Sequence, residues 1–226
     1  MSAEGMKKGT RAPGVTIWLT GLPSAGKSTI AVRLVEVLTA WNMPVELLDG
    51  DEIRERLSKG LGFSRHDRDE NIRRISFVSR LLTKQGVVSI VAAISPYRDT
   101  RDEARAEIGR FIEVHVNCEL NECVRRDVKG LYKKALAGQI TQFTGISDPY
   151  EEPLRPELVL NTHAETLDQS VGKVLETLSL MGYVPADYLH AAPASRPAMR
   201  EAASASNGSG GGGAAVATLS GLVASE

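Results

Sequence analysis

The segment Gly21-Leu22-Pro23-Ser24-Ala25-Gly26-Lys27-Ser28 constrains this chain more than any other feature. It fits G-x-x-x-x-G-K-[ST], a tight turn whose backbone N–H groups converge on a phosphate. The lysine then reaches the outer phosphates, and the serine hydroxyl ligates Mg²⁺. The partial positive charge of a helix N-terminus completes the cradle, so the motif needs a strand before it and a helix after it. Both are present. Val15-Thr16-Ile17-Trp18-Leu19-Thr20 reads as a strand, and Lys27 to Ala40 spaces Ile30, Leu34, Val37 and Leu38 as a helix does. A plain glycine turn capping a helix is the bland alternative, and the flanking elements favour the phosphate reading. The nucleotide contacts expected on this basis are Gly21, Leu22, Pro23, Ser24, Ala25, Gly26, Lys27, Ser28 and Thr29.

The rest of the chain continues the alternation. Val45 to Leu48, Val87 to Ile94, Ile112 to Val116 and Leu158 to Leu160 read as strands; Asp67 to Gln85 and Glu165 to Met181 read as helices. Strands alternating with helices imply crossover units and a parallel sheet covered on both faces, an α/β fold of three layers. With 226 residues, 42% hydrophobic and 24% charged, one folded domain is expected over about 14–185. Residues 1–13 read as a loose lead. From His190 to Glu226, 23 of 37 residues are Ala, Gly or Ser, so 186–226 reads as a flexible tail, either a linker or a dispensable end. A formal net charge of −1 argues against coating nucleic acid, and no apolar stretch is long enough for a bilayer. Two cysteines, Cys118 and Cys123, build no disulfide framework, so the cytoplasm is the expected compartment.

A phosphate loop alone does not separate a kinase from a GTPase or a motor. The sequence contains no N-K-x-D guanine signature, and its length suits a small-molecule kinase. Asp49 and Asp51 follow a strand at the sheet edge where ligands bind in open α/β folds. A carboxylate there can hold Mg²⁺ or take a proton from an attacking hydroxyl, and Asp51 could also merely cap a helix starting at Glu52. Further on, Arg68 and Asn71 share a helix face able to present a guanidinium fork and an amide to an anion. A solvated charged helix is the competing reading.

Several separated blocks, taken together, resemble the adenylylsulfate kinases, P-loop enzymes that phosphorylate adenosine 5′-phosphosulfate (APS) at its ribose 3′-hydroxyl. These are the phosphate loop, Asp49-Gly50-Asp51 with Arg54, Leu61-Gly62-Phe63-Ser64, Asp67-Arg68 and Glu70-Asn71-Ile72-Arg73-Arg74. Ile94-Ser95-Pro96-Tyr97-Arg98 with Arg101, Asp127-Val128-Lys129-Gly130-Leu131-Tyr132, Phe143-Thr144-Gly145 and Pro149-Tyr150-Glu151 complete the set. The resemblance runs from about Gly14 to Tyr183. It implies a P-loop kinase fold with a mobile lid over about 129–153. It also implies that Phe63 and Phe143 sandwich the APS adenine. Arg54, Arg68 and Asn71 would hold the phosphosulfate, with Ile94, Ser95 and Lys129 in the same pocket. The resemblance makes Asp49 the Mg²⁺-associated or base-like carboxylate, with Ser28 as the other metal ligand, and Asp51 a contact of APS near the 3′-hydroxyl. Lys27, Asp49, Asp51 and Ser95 form the expected catalytic set. In the family this serine is often assigned as a phosphoserine intermediate, yet no base beside Ser95 is evident and direct in-line transfer needs no covalent step, so Ser95 is expected to bind substrate. The usual family loop has Ser and Gly where Pro23 and Ser24 stand here. ATP and APS are the implied ligands, Mg²⁺ the cofactor, a homodimer the assembly, and ATP sulfurylase a functional associate. A kinase for another nucleoside or a sugar acid, or a catalytically silent module of a sulfurylase assembly, are the alternatives.

Overall fold

The computed structural model describes residues 13–190, which form five parallel strands and eight helices. In chain order these are β1 (Val15–Thr20), α1 (Lys27–Ala40), β2 (Val45–Asp49), α2 (Gly50–Arg56), α3 (Arg65–Lys84), β3 (Val88–Ala92) and α4 (Arg98–Ile108). There follow β4 (Phe111–Asn117), α5 (Leu120–Arg126), α6 (Leu131–Leu136), β5 (Leu158–Asn161), α7 (Leu167–Leu180) and α8 (Ala186–His190). The sheet order is β2-β3-β1-β4-β5, every neighbour parallel. Side chains of a strand alternate between faces, and the sequence uses both. Val15, Ile17 and Leu19 of β1 join Ile90, Ile112 and Val114 in a core closed by α1 and α7. Trp18 points the other way, into a second core with Val91, Phe111, Ile72 and Ile75 of α3, and Ala104 and Ile108 of α4. The α/β three-layer expectation therefore holds, and this is a P-loop kinase fold. All strand C-termini meet at one edge, where the β1–α1 and β2–α2 loops lie side by side.

Differences from the expected boundaries have local causes. Helix α3 starts at Arg65, two residues early, because Ser64 caps it by accepting from the Asp67 amide at 3.2 Å. Helix α7 starts at Leu167, behind a Thr166–Gln169 capping box. Glu165 stays outside it, its carboxylate accepting from the Asn161 amide and the Ser170 hydroxyl. Ordered chain continues past 185. Tyr188 and Leu189 of α8 pack on the α1 core, and Tyr188 stacks on Trp41 with ring centroids 5.3 Å apart. The expected loose lead, apart from Pro13, and the expected tail beyond His190 lie outside the described residues. Among the described residues no helix is long and apolar enough to cross a membrane.

Candidate active site

The phosphate loop is shaped by contacts that exclude side chains. A Cβ on Gly21 would lie 2.4 Å from the Val116 carbonyl oxygen, so close approach of β4 requires glycine there. Gly26 caps α1 in the left-handed region at φ 104°. Ser24, where the family pattern has glycine, is also left-handed, at φ 60°. The loop's outer carbonyls are pinned from behind: the Tyr132 hydroxyl donates to Pro23 O at 3.1 Å and the Thr162 hydroxyl to Ala25 O at 2.8 Å. Lys27 opens α1 and curls back across the loop, its Nζ donating to Gly21 O at 2.9 Å and Leu22 O at 2.7 Å. Burial pulls its pKa down to about 8, against the pull of the neighbouring Asp49 and Asp51 carboxylates. A cleft of about 410 Å³ lies beside the loop, between Leu22, Leu120 and the turn from Gly145 to Tyr150.

Ser28 follows on the exposed side, and its hydroxyl donates to Asp49 Oδ2 at 2.7 Å. Asp49 is the residue that caps α2, its Oδ1 accepting from the Asp51 amide at 3.0 Å. This excludes the alternative in which Asp51 caps a helix starting at Glu52, because the helix begins at Gly50, two residues earlier. Asp51 is free of that duty and forms an ion pair with Lys129 Nζ. Two oxygens of hard, acceptor type, one hydroxyl and one carboxylate, thus face each other beside the loop. That donor set suits a divalent cation whose other ligands are water and phosphate. Among the described residues no cluster of three or more His, Cys, Asp or Glu side chains is placed to hold a metal.

Beyond α2 lies an aromatic and cationic cluster. Arg54 donates to Gly62 O at 2.9 Å, and its guanidinium sits 4.7 Å above the Phe63 ring, which is 55% exposed. Arg68 is 6% exposed, which excludes the solvated-helix reading. Its Nε donates to Phe63 O at 2.8 Å, Nη1 to the Thr144 hydroxyl at 2.9 Å, and Nη2 to Gln142 O, tying α3 to the 129–153 segment. Asn71, on the same face, is buried with its Oδ1 unpartnered among the described residues, an orphaned acceptor on the side of the helix that carries Arg68. Phe143 differs from expectation. It is 8% exposed and packs edge-on to Tyr132 at 5.0 Å, so of the two expected adenine platforms only Phe63 offers an open face. Placing it in a Thr-Gly loop concealed that Tyr132 shields it.

Ile94 is half-buried and Ser95 is 2% exposed at φ 43°. The Ser95 hydroxyl accepts from Trp18 Nε1 at 2.9 Å and donates to Ala93 O at 3.2 Å, so both of its hydrogen-bonding directions are occupied. Thr20, at the end of β1, donates to Ile94 O at 2.7 Å and joins this loop to the phosphate loop. Tyr150 meets the Thr20 hydroxyl at 3.0 Å, and burial pushes its phenol up to about 12. Sequence reasoning missed Tyr132 and Thr162 as supports of the phosphate loop, and Thr20, with Tyr150 against it, as a support of the Ile94–Ser95 loop. Tyr132 and Tyr150 stood inside recognised blocks but carried no signal of direction; Thr20 and Thr162 had none at all.

The adenylylsulphate kinase family model matches residues 13–161. An adenylyl-sulfate kinase of Gloeothece citriformis is 59% identical over 171 residues, covering 76% of this chain and 97% of that protein. A probable bifunctional SAT/APS kinase of Sorangium cellulosum is 55% identical over 172 residues, 76% of this chain but 30% of that protein. Among solved structures, the Mycobacterium tuberculosis APS kinase CysC in complex with AMPPNP and APS superposes with a TM-score of 0.71 at 41% identity, covering 74% of this chain and 99% of that one. Sheet order, loop geometry and these likenesses agree, and the chain belongs to the adenylylsulphate kinase family.

Proposed function

We propose that the protein transfers the γ-phosphoryl group of ATP to the 3′-hydroxyl of adenosine 5′-phosphosulfate, giving ADP and 3′-phosphoadenylyl sulfate in sulfate assimilation. One observation carries the reading. The phosphate loop and the Arg54–Phe63–Arg68–Asn71 cluster share the strand C-terminal edge, bridged by Ser28–Asp49 and by α2, which bears Asp51 and Arg54 one turn apart. A triphosphate in the loop and a second anionic nucleotide on the cluster then face each other.

The roles follow from chemistry. Lys27 exchanges its two carbonyl acceptors for the β- and γ-phosphate oxygens, a stronger charge-assisted pairing. Gly21 to Thr29 surround the phosphates. Ser28 and Asp49 would hold Mg²⁺, which supplies charge neutralisation on the phosphate oxygens. Asp51, released from Lys129, orients the 3′-hydroxyl. The O3′–P bond forms as the bond from phosphorus to the β-bridging oxygen breaks, and the hydroxyl proton leaves to the Asp51 carboxylate or to water. Lys129 then answers the charge that builds on the transferred group. Arg54, Arg68 and Asn71 bind the phosphosulfate, with Ile94 and Ser95 beside them, and the adenine stacks on Phe63. Phe143 reaches the base only by movement of the 129–153 lid. Ser95 positions and does not react, since its hydroxyl is engaged on both sides and no base adjoins it. A homodimer in the cytoplasm, with reduced Cys118 and Cys123, completes the proposal, together with a functional tie to ATP sulfurylase.

A coupled assay of ADP release with Mg-ATP and micromolar APS tests it. APS-dependent turnover, lost in Lys27→Ala with folding retained, is expected. Phosphorylation of gluconate or a nucleoside with APS ignored would overturn the assignment.

A further inference from the structure

Arg101 is the most completely enclosed charge in the described chain that the reaction does not use. It lies on α4 and is 2% exposed, and each face of its guanidinium fork reaches a different segment. Nε donates to Glu113 Oε1 on β4 at 2.7 Å. Nη1 donates to Ser95 O at 2.6 Å, and Nη2 to Glu151 O at 2.6 Å. Glu113 is itself fixed by Arg105 at 3.2 Å, and Arg105 by Glu157 at 2.6 Å. An arginine kept only to neutralise Glu113 would need one of these bonds. The other two go to main-chain carbonyls in the loop bearing Ser95 and at the end of the lid segment.

The two ends of that segment differ. At the C-terminal end, the Glu151 amide donates to Pro96 O at 2.8 Å, its carboxylate accepts from the Arg98 amide at 2.9 Å, and Arg98 Nε donates to Glu152 O at 2.7 Å. The guanidinium of Arg101 also lies 5.8 Å from the Tyr150 ring. At the N-terminal end the bonds are local: the Asp127 carboxylate accepts from the Tyr132 and Lys133 amides, each at 3.0 Å, with Gly130 at φ 64° and Val128 exposed between them. Ser95 sits in the left-handed region, which costs a serine about 1 kcal/mol, and it needs partners to stay there. Arg101 and Trp18 are those partners.

We propose that Arg101 is a positioning residue that locks the C-terminal root of the 129–153 segment to the loop carrying Ser95, so that the APS side of the cleft is preset. The inference rests on the reaction proposed above. Its test is Arg101→Lys, which keeps a charge beside Glu113 but cannot reach three acceptors. Steady-state kinetics should show KM for APS raised about tenfold or more, with ATP affinity within about twofold. Amide exchange should quicken over 142–152 while the β1 and β4 amides are unchanged. Unaltered KM and unaltered exchange, with only a lower melting temperature, would overturn the proposal and leave Arg101 a structural ion pair. If Arg101→Lys does not fold, the double variant Arg101→Met/Glu113→Met, which removes both charges together, is read by the same two measurements. A wild-type chain that ignored APS would sink the proposed reaction instead, and the exchange comparison would still decide the role of Arg101.

Discussion

Lys27 holds its charge where burial weakens it, with a pKa of about 8 in place of 10.5. The folded value is depressed, so between about 8 and 10.5 the unfolded chain binds more protons, and stability rises with pH across that window. A triphosphate restores the ammonium. Binding of Mg-ATP at pH 8.5 to 9 should therefore take up a large part of one proton, read by calorimetry as an enthalpy that changes with the ionisation heat of the buffer. Identical enthalpies in two such buffers would refute it. The two phenylalanines predict opposite phenotypes. Phe63→Ala, at a residue 55% exposed, should cost under about 1 kcal/mol of stability yet raise KM for APS about tenfold or more. Phe143→Ala, in the core against Tyr132, should cost about 3 kcal/mol or more. Urea denaturation beside kinetics separates them; a Phe63 variant with normal KM would remove the adenine platform. From sequence both residues looked alike, each next to Gly, Ser or Thr. Only packing distinguishes them: Phe143 meets the edge of Tyr132 on α6, and Phe63 has an open face.

At the scale of elements, the sheet and the helices with apolar periodicity were legible because a buried strand and a one-sided helix each leave a pattern. β1 and α1 fall at the expected residues. Helix α4 went unread because its sequence, Arg-Asp-Thr-Arg-Asp-Glu-Ala-Arg-Ala-Glu-Ile, hides its inner face behind charge. That face is Thr100, Arg101, Ala104 and Ile108, and it stays buried because Arg101 finds Glu113. Short α5 and α6 carry too few turns for a period to show. Helix α2 joins structure to chemistry through Asp49, which caps it with one oxygen and meets Ser28 with the other. Asp49→Asn keeps a capping oxygen and should leave the melting temperature nearly unchanged while turnover falls about a hundredfold or more. Asp49→Ala should lose the turnover and about 1 kcal/mol besides. Equal melting temperatures for the two variants would show that the cap contributes nothing.

Across the whole molecule, the sheet separates two cores, and the phosphate loop rests on the one closed by α1 and α7. Cys123 lies in that core at 0% exposure and Cys118 at 5%, both free, and burial raises the Cys123 thiol well above its ordinary value. Tyr132, packed in the same core, bonds Pro23 of the loop. The thiols can therefore react with an aqueous disulfide reagent only when α5 and the loop's backing come apart. A ligand that binds the intact loop and not the opened one suppresses that opening by mass action. At 100 times its dissociation constant, Mg-ATP should stabilise the closed form by about 2.7 kcal/mol and slow labelling about a hundredfold. The measurement is the absorbance change on thiol exchange, with and without Mg-ATP, at reagent concentrations where the rate follows the open population. Labelling that ignores Mg-ATP would mean that α5 opens independently of the loop, and that the loop, Tyr132 and the thiol-bearing core do not move as one unit.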